Sequence, residues 1–308
     1  MSDRRGFALL AALWLLVAIS VASLALESAA RTRRLAAANL AEGIRAQAAA
    51  QAGIEQVRAR LERRLAQWTL EGVDPWTNVD SLLSDTLTIG AAQVGVAVRD
   101  VGAQLNLNVA TEDELRRLFT ALRIDAGQAD RLVQCILDWR DADDLHRARG
   151  AERNAYLRAG AVELPRNGPF QSIAELRAVQ GMSADLYERV QPYLTLLGSG
   201  QVNVNVADRP VLLALPGMTE DAVAVLLRYR RQRRGLGSIM DLERDLPPGA
   251  RAVFTSHLPE LLGRTTTETR ELQVTSDAVL DGSPVRARMT GVFVRARSAV
   301  FYVWARVE

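Results

Sequence analysis

The most constraining feature of the sequence is a run of twenty residues without a charge, from Phe7 to Leu26 (FALLAALWLLVAISVASLAL). An α-helix rises about 1.5 Å per residue, so this run spans about 30 Å, which is the thickness of the hydrocarbon core of a bilayer. No proline occurs before Pro75, so the helix is free to continue to about Trp68. The sequence therefore predicts one helix that begins in a membrane and extends well beyond it.

The second half of this predicted helix is amphipathic. Its large apolar residues fall within one stripe of an ideal helix, and its charged residues lie elsewhere. The stripe consists of Ile54, Val57, Leu61, Leu65 and Trp68. We expect this stripe to pack against a soluble domain.

The residues before the apolar run have two interpretations. One is a secretory signal peptide, with basic Arg4 and Arg5, an apolar core, and small residues at 28–30 for cleavage. The other starts from Arg4-Arg5-Gly6-Phe7, which resembles a type IV prepilin leader cut between Gly6 and Phe7. Signal-peptide cleavage would remove the apolar segment, whereas cleavage after Gly6 would keep it as an anchor. Most pilins carry Glu at the fifth mature residue, where this chain has Ala11. The absence of this glutamate is compatible with a subunit that caps the tip of a filament, and equally with a membrane protein that is not a pilin.

The composition argues against an enzyme. Lys and Arg number 38 and Asp and Glu 36, so the net charge of +2 is no sign of nucleic-acid binding. His146 and His257 are the two histidines, which leaves little material for a zinc site or histidine catalysis. Cys135 is the one cysteine, so no intrachain disulfide can form, and its apolar neighbours indicate a buried packing role.

The remaining pattern predicts an α+β fold. Valines alternate with other residues over 94–98, and alternation returns at 272–274, 285–290 and 299–307, on both sides of a long helical region. We expect a long N-terminal helix of type IV pilin-like kind packed on a small antiparallel sheet, with a large all-helical insertion. The predicted boundaries are a leader at 1–6, a membrane helix at 7–27, the outer half of the helix at 28–70, a head at 71–105 and 264–308, and the insertion at 106–263.

The insertion contains an internal repeat. The segment 106–110 (NLNVA) recurs at 203–207 (NVNVA), and each copy leads to a similar helix end, at 136–140 (ILDWR) and 226–230 (LLRYR). A second pair of related segments lies at 170–176 and 237–242. We therefore predict duplicated helical hairpins of helix-hairpin-helix or SAM-like type.

Such hairpins raise the alternative of a membrane-anchored DNA-binding protein. In the DNA-binding form, a Gly-x-Gly turn presents backbone N–H groups to a phosphate. Here the second glycine is replaced, after Gly181 and after Gly217, and the acidic residues Glu220 and Asp221 follow the latter. An acidic residue at this place repels a phosphate and suits a helix N-terminus. A structural role is therefore favoured, and the arginines at 228–234 are interpreted as a solvated face or a protein contact.

An acidic stretch ends the first hairpin. Four aspartates within 138–144 (DWRDADD) are followed by Glu152, and hard divalent cations such as calcium bind several such oxygens on a loop. The spacing is not that of an EF-hand. The alternative is a solvated loop in which aspartates cap helices or pair with Arg140, Arg147, Arg149 and Arg153.

Taken together, these motifs resemble the K-type minor pseudopilins of type II secretion systems. The resemblance is carried by Arg-Gly-Phe at 5–7, Ala11, the NLNVA segment, the DWRDADD loop, Gly150-Ala151-Glu152 with Tyr156, and PRNGPF at 165–170. It covers nearly the whole chain with the motifs in order. It implies a single-pass inner-membrane protein with a periplasmic head, cut by prepilin peptidase and methylated at its new N-terminus.

The resemblance also implies a position and partners. The subunit would cap the tip of a short pseudopilus together with the I-type and J-type minor pseudopilins and prime the export of folded proteins. Its other partners would be further pseudopilins, the inner-membrane assembly platform and membrane lipid. Because family members bind calcium in the insertion, the residues carried over as ligands are Asp138, Asp141, Asp143, Asp144 and Glu152. Arg147, inside the same stretch, would weaken binding.

Overall fold

The first element of the chain is a 65-residue helix, α1 (Asp3–Gln67). The computed structural model describes residues 3–67, 76, 85–232, 235–296 and 299–307. At about 1.5 Å per residue α1 is about 100 Å long. The predicted long helix is confirmed as far as Gln67. Trp68, the last residue of the predicted stripe, lies outside the described residues.

The N-terminal part of α1 presents apolar side chains to its surroundings. It is the one helix in the described part of the chain that is long and apolar enough to cross a membrane. The large apolar side chains between Leu10 and Leu26 are 45% to 73% exposed. An apolar surface of this extent suits a hydrocarbon environment rather than water.

The outer part of α1 packs on a five-stranded antiparallel sheet. The strand order is β1-β2-β7-β8-β9. The strands are β1 (Asp85–Ile89), β2 (Ala92–Asp100), β7 (Glu271–Leu280), β8 (Arg286–Ala296) and β9 (Ala299–Val307). This confirms the α+β class and the helix-on-sheet layer. The sequence indicated one strand, at 94–98, before the helical region, and this was wrong. It missed β1 (DTLTI), in which Leu87 and Ile89 alternate with Thr86 and Thr88 over only four residues.

The core of this head lies between the amphipathic stripe and the inner face of the sheet. Ile54, Val57 and Leu61 are each at most 2% exposed. They pack with alternate residues of β2 and β7, as the predicted stripe required. Gly53 lets helix and sheet approach closely, because a Cβ atom there would lie 2.4 Å from Ser276 Oγ and 2.9 Å from Val94 Cγ1.

A second, larger core occupies the segment between β2 and β7. Its α-helices are α2 (Glu112–Ala121), α3 (Ala126–Arg140), α4 (Arg153–Arg158), α5 (Ala184–Val190), α6 (Arg209–Ala214), α7 (Glu220–Arg231), α8 (Pro248–Ser256) and α9 (Leu258–Arg264). It also has four 3₁₀-helices, Val101–Ala103, Ile173–Ala178, Gln191–Tyr193 and Ile239–Asp245. The expected insertion is therefore mainly helical, and its exact boundaries stay a prediction.

Two short parallel strand pairs accompany these helices, which the sequence did not indicate. β3 (Leu105–Asn106) pairs with β4 (Leu194–Thr195), and β5 (Val202–Asn203) pairs with β6 (Thr265–Thr266). Each pair joins the start of one hairpin unit to the residues that follow that unit. The two pairs therefore close the two copies of the repeat in the same way.

The repeated asparagines have equivalent contacts in the two copies. The Asn108 side chain accepts a hydrogen bond from Phe170 N and donates one to Phe170 O. Asn205 makes the same pair of bonds with Leu236. The repeat in sequence is therefore a repeat in structure, and its polar residues serve internal contacts.

A buried polar cluster joins the insertion to the head. Asp100, at the end of β2, accepts hydrogen bonds from Asn203 Nδ2 at 2.8 Å and from Thr269 Oγ1 at 2.5 Å. Asp100, Asn203 and Thr269 are each at most 4% exposed. Strong hydrogen bonds to a buried carboxylate hold the insertion in a fixed orientation on the head.

Candidate metal centre

The acidic stretch begins where α3 ends. Asp138 lies on the last turn of α3 and is fully buried. Beside it, the Trp139 ring is stacked on Phe170 at a centroid distance of 6.1 Å and meets the edge of Tyr156 at 5.5 Å. This aromatic cluster fixes three separate segments under the acidic residues.

Three of the five predicted ligands lie together. One carboxylate oxygen each from Asp138, Asp141 and Glu152 lies within 4.8 Å of the other two. Calcium binds oxygens at about 2.3–2.6 Å, so oxygens about 4.8 Å apart can share one ion. The geometry therefore fits a divalent cation held by the end of α3 and the start of α4.

The environment of Glu152 gives the strongest reason to expect a bound cation. It is 5% exposed, and neither carboxylate oxygen has a hydrogen-bond partner among the described residues. Burial, and after it the charges of Asp138 and Asp141, raises the pKa of Glu152 to about 7. A buried carboxylate without a partner is costly, and a bound cation would remove this cost. Asp141 Oδ1 is likewise buried without a partner in the described structure.

The other two predicted ligands do not join this group. Asp143 and Asp144 are exposed. Asp143 Oδ1 accepts a hydrogen bond from Leu145 N at 2.8 Å, and Asp144 Oδ1 accepts one from Asn167 Nδ2 at 2.8 Å. These two aspartates shape the loop, and their assignment as direct ligands stays a prediction.

Arg147 lies inside the acidic cluster. Its Nη1 atom donates to Asp138 Oδ1 at 2.6 Å and to Asp141 Oδ2 at 2.5 Å. Its backbone N–H also donates to Asp138, with Oδ2 at 3.1 Å. The arginine pairing that the sequence left open therefore occurs, and it involves two of the three clustered carboxylates.

Gly150 is a site residue that the sequence reasoning did not single out as functional. A Cβ atom at this position would lie 1.9 Å from Asp138 Oδ2. Real Cβ atoms do not approach this closely, so only glycine leaves room for the Asp138 carboxylate. The feature of the sequence that could have pointed to this role is the position of Gly150, two residues before Glu152.

The hairpin turn at Gly217, which in the DNA-binding alternative would contact a phosphate, is used for packing. Gly217 has a φ of +72°, and a Cβ atom there would lie 2.8 Å from His257 Cβ. Arg230 donates to the carbonyl of Val204 at 2.6 Å. The turn therefore packs against the end of α8 and His257 that follows it, and Arg230 of α7 supports the fold. Arg233 and Arg234 lie outside the described residues. Nothing in this geometry favours DNA binding over the structural role.

The proposed cleavage residues lie at the other end of the molecule. Gly6 and Phe7 are in the first turns of α1, and the Phe7 side chain is 78% exposed. Cleavage between them stays a prediction.

Comparison with known proteins finds a family model that matches part of the chain. Residues 78–199 match the family "Type II secretion system (T2SS), protein K". Type II secretion system protein K of Pectobacterium carotovorum is 31% identical over 145 residues, which cover 44% of each chain. The corresponding protein of Pseudomonas aeruginosa is 29% identical over 208 residues, 61% of this chain and 57% of that protein. The matches therefore span less than two thirds of these relatives.

A solved structure shares the fold. The crystal structure of the GspK-GspI-GspJ complex from the enterotoxigenic Escherichia coli type 2 secretion system contains a chain that matches with a TM-score of 0.66. The match covers 86% of this chain and 99% of that one, at 22% identity. At this identity the likeness supports the architecture, namely the long helix, the antiparallel sheet and the large insertion.

Proposed function

We propose that this chain, whose residues 78–199 match the type II secretion system protein K family, is a minor pseudopilin. It would cap the pseudopilus tip with the I-type and J-type minor pseudopilins and prime the export of folded proteins across the outer membrane. The observation that carries the proposal is the large insertion between β2 and β7 of a pilin-like head. No reaction is assigned to the chain.

The shape of the molecule supports a place at the tip. In a filament, each long helix packs among close neighbours, and a head enlarged by about 160 residues is hard to accommodate between them. At the tip there is space above the head. Ala11, in place of the usual glutamate, fits a subunit with no neighbour above it whose N-terminal charge would need a partner.

Exposed apolar side chains on the outer half of α1 support contact with the helices of other subunits. Leu35, Leu40 and Ile44 are 57%, 67% and 59% exposed, although they lie beyond the apolar span. Leu40 and Ile44 are one turn apart on the same side of the helix, whereas Leu35 lies on another side. Exposed apolar side chains one turn apart favour packing against the helices of other subunits. We propose that the I-type and J-type minor pseudopilins cover them.

The test is co-purification of this protein with the I-type and J-type minor pseudopilins of the same secretion system. We expect Leu40→Glu with Ile44→Glu to abolish co-purification, because two charges would be buried in a helical contact without partners. Asn39→Asp, an exposed change on another side of the same helix, is the control and should not alter it. Full recovery of the complex with the double variant would contradict the proposed arrangement.

We further propose that the insertion binds calcium through Asp138, Asp141 and Glu152. A bound calcium ion would join the end of α3 to the start of α4 and neutralise the buried carboxylates. The support is the group of oxygens within 4.8 Å and the unpartnered, buried Glu152. The ion would have a structural role in the orientation of the loop.

Calcium is expected to raise the melting temperature of the detergent-solubilised protein, because it binds the folded state. Glu152→Gln should remove this increase, since an amide is a weaker ligand than a carboxylate. In chelator the same variant should melt no lower than the parent protein, because a buried neutral amide replaces a buried carboxylate. Glu163→Gln, at an exposed position, is the control. A melting temperature that does not change up to millimolar calcium would refute calcium binding by the parent protein.

A further inference from the structure

We infer that Arg147 is a built-in counter-ion that occupies the calcium position when calcium is absent, so that the two cations compete for the cluster. The inference rests on the proposed calcium site and adds to it a residue that sets the affinity.

The first argument is position. A single nitrogen, Arg147 Nη1, lies 2.6 Å from Asp138 Oδ1 and 2.5 Å from Asp141 Oδ2. These distances are close to the calcium–oxygen distances of about 2.3–2.6 Å. A calcium ion bound to the same two oxygens would lie about as far from each as this nitrogen does, so the ion and the guanidinium would compete for these oxygens.

The second argument is charge. The guanidinium carries one positive charge and contacts Asp138 and Asp141, whereas Glu152 has no partner among the described residues. Arg147 therefore compensates the cluster only in part. A doubly charged ion in reach of all three carboxylates would compensate more of it, which gives calcium a reason to displace the side chain.

The third argument is the freedom of the side chain to leave. The Arg147 side chain is 37% exposed, so the guanidinium has a path to solvent. Its backbone N–H donates to Asp138 Oδ2 independently of the side chain. The loop can therefore keep its contact with Asp138 while the guanidinium moves away.

The neighbouring arginines are engaged elsewhere and do not take this role. The Arg140 guanidinium donates to the carbonyls of Leu107 and Ala110. Arg149 Nη1 lies 3.3 Å from Asp130 Oδ2, about two turns of α3 before Asp138. Among the arginines of the loop that the structure describes, Arg147 is therefore the one in contact with the clustered acids.

The experiment is calorimetric titration of the detergent-solubilised full chain with calcium chloride, in three forms: the parent protein, Arg147→Gln and Arg149→Gln. We expect Arg147→Gln to lower the dissociation constant for calcium at least about tenfold, because no guanidinium has to be displaced. In chelator, the same variant should melt at a lower temperature, because Asp138 and Asp141 lose their counter-ion. Arg149→Gln should change neither quantity.

Each outcome decides between the two proposals. If the parent protein binds calcium and Arg147→Gln binds it equally or more weakly, the competition is refuted while the calcium site stands, and Arg147 then positions the ligands. If only Arg147→Gln binds calcium, the competition is supported in its strongest form. If neither binds at millimolar calcium, the calcium site is refuted, and the inference about Arg147 fails with it.

Discussion

Replacement of Gly6 by valine should leave the whole chain as a longer precursor that begins at Met1 and does not assemble. The proposed leader is cut after Gly6, and a branched side chain next to the scissile bond should block the peptidase. The uncut segment carries Asp3, Arg4 and Arg5 directly before the apolar part of α1. Each arginine that has to enter an apolar environment costs about 2.5–3.5 kcal/mol, so a precursor could not pack its helix among neighbouring subunits.

Intact-mass spectrometry of protein recovered from membranes measures this directly. The parent protein should begin at Phe7, with a mass that allows for one methyl group, and Gly6→Val should retain all six leader residues. Ser2→Ala, a change inside the leader but away from the scissile bond, should be processed normally. A parent protein that begins near residue 30 would show signal-peptide cleavage instead and would remove the anchor from the mature chain.

The sequence predicted those parts of the fold that depend on local periodicity. The apolar run and the stripe that includes Ile54 and Leu61 predicted α1 and its buried face, and both are confirmed. Alternation in the last strands predicted β7, β8 and β9, because one face of the sheet is buried under α1 and the other is not.

The elements that were missed depend on contacts between distant residues. β1 has only five residues, and it is held at the sheet edge by its pairing with β2. β3 to β6 are two residues each, and they exist because the two ends of each hairpin unit meet. No local pattern specifies a strand of two residues, since its pairing partner is about 60 to 90 positions away.

For the metal centre, the sequence predicted five carboxylate ligands, and the tertiary structure determines which of them lie together. All five predicted carboxylates lie in one region, but burial separates Asp138 and Glu152 from the exposed Asp143 and Asp144. Spacing along a loop does not predict which side chains turn inward. The sequence did suggest that Arg147 would oppose metal binding, but not that one of its nitrogens lies between two ligands.

Gly150→Ala should destabilise the insertion by about 3–5 kcal/mol and abolish the response to calcium. The added methyl group would lie 1.9 Å from Asp138 Oδ2, so the loop or the carboxylate has to move. Asp138 is fully buried and bonded to Arg147 by both side chain and backbone. Overpacking costs about 1–3 kcal/mol, and disruption of a buried ion pair costs about 3–5 kcal/mol, so the second effect should dominate. Thermal unfolding with calcium and with chelator measures both consequences.

Gly168→Ala is the matched control, because a Cβ atom at Gly168 has no neighbour within 4 Å and this glycine lies in the segment that supplies Asn167 to the same loop. It should melt within about 1–2 °C of the parent protein and keep the calcium response. If Gly150→Ala instead matches this control in both measurements, the loop can relax around Asp138 at little cost. The acidic cluster would then be a solvated connection without a fixed geometry, and the case for a preformed metal centre would be lost.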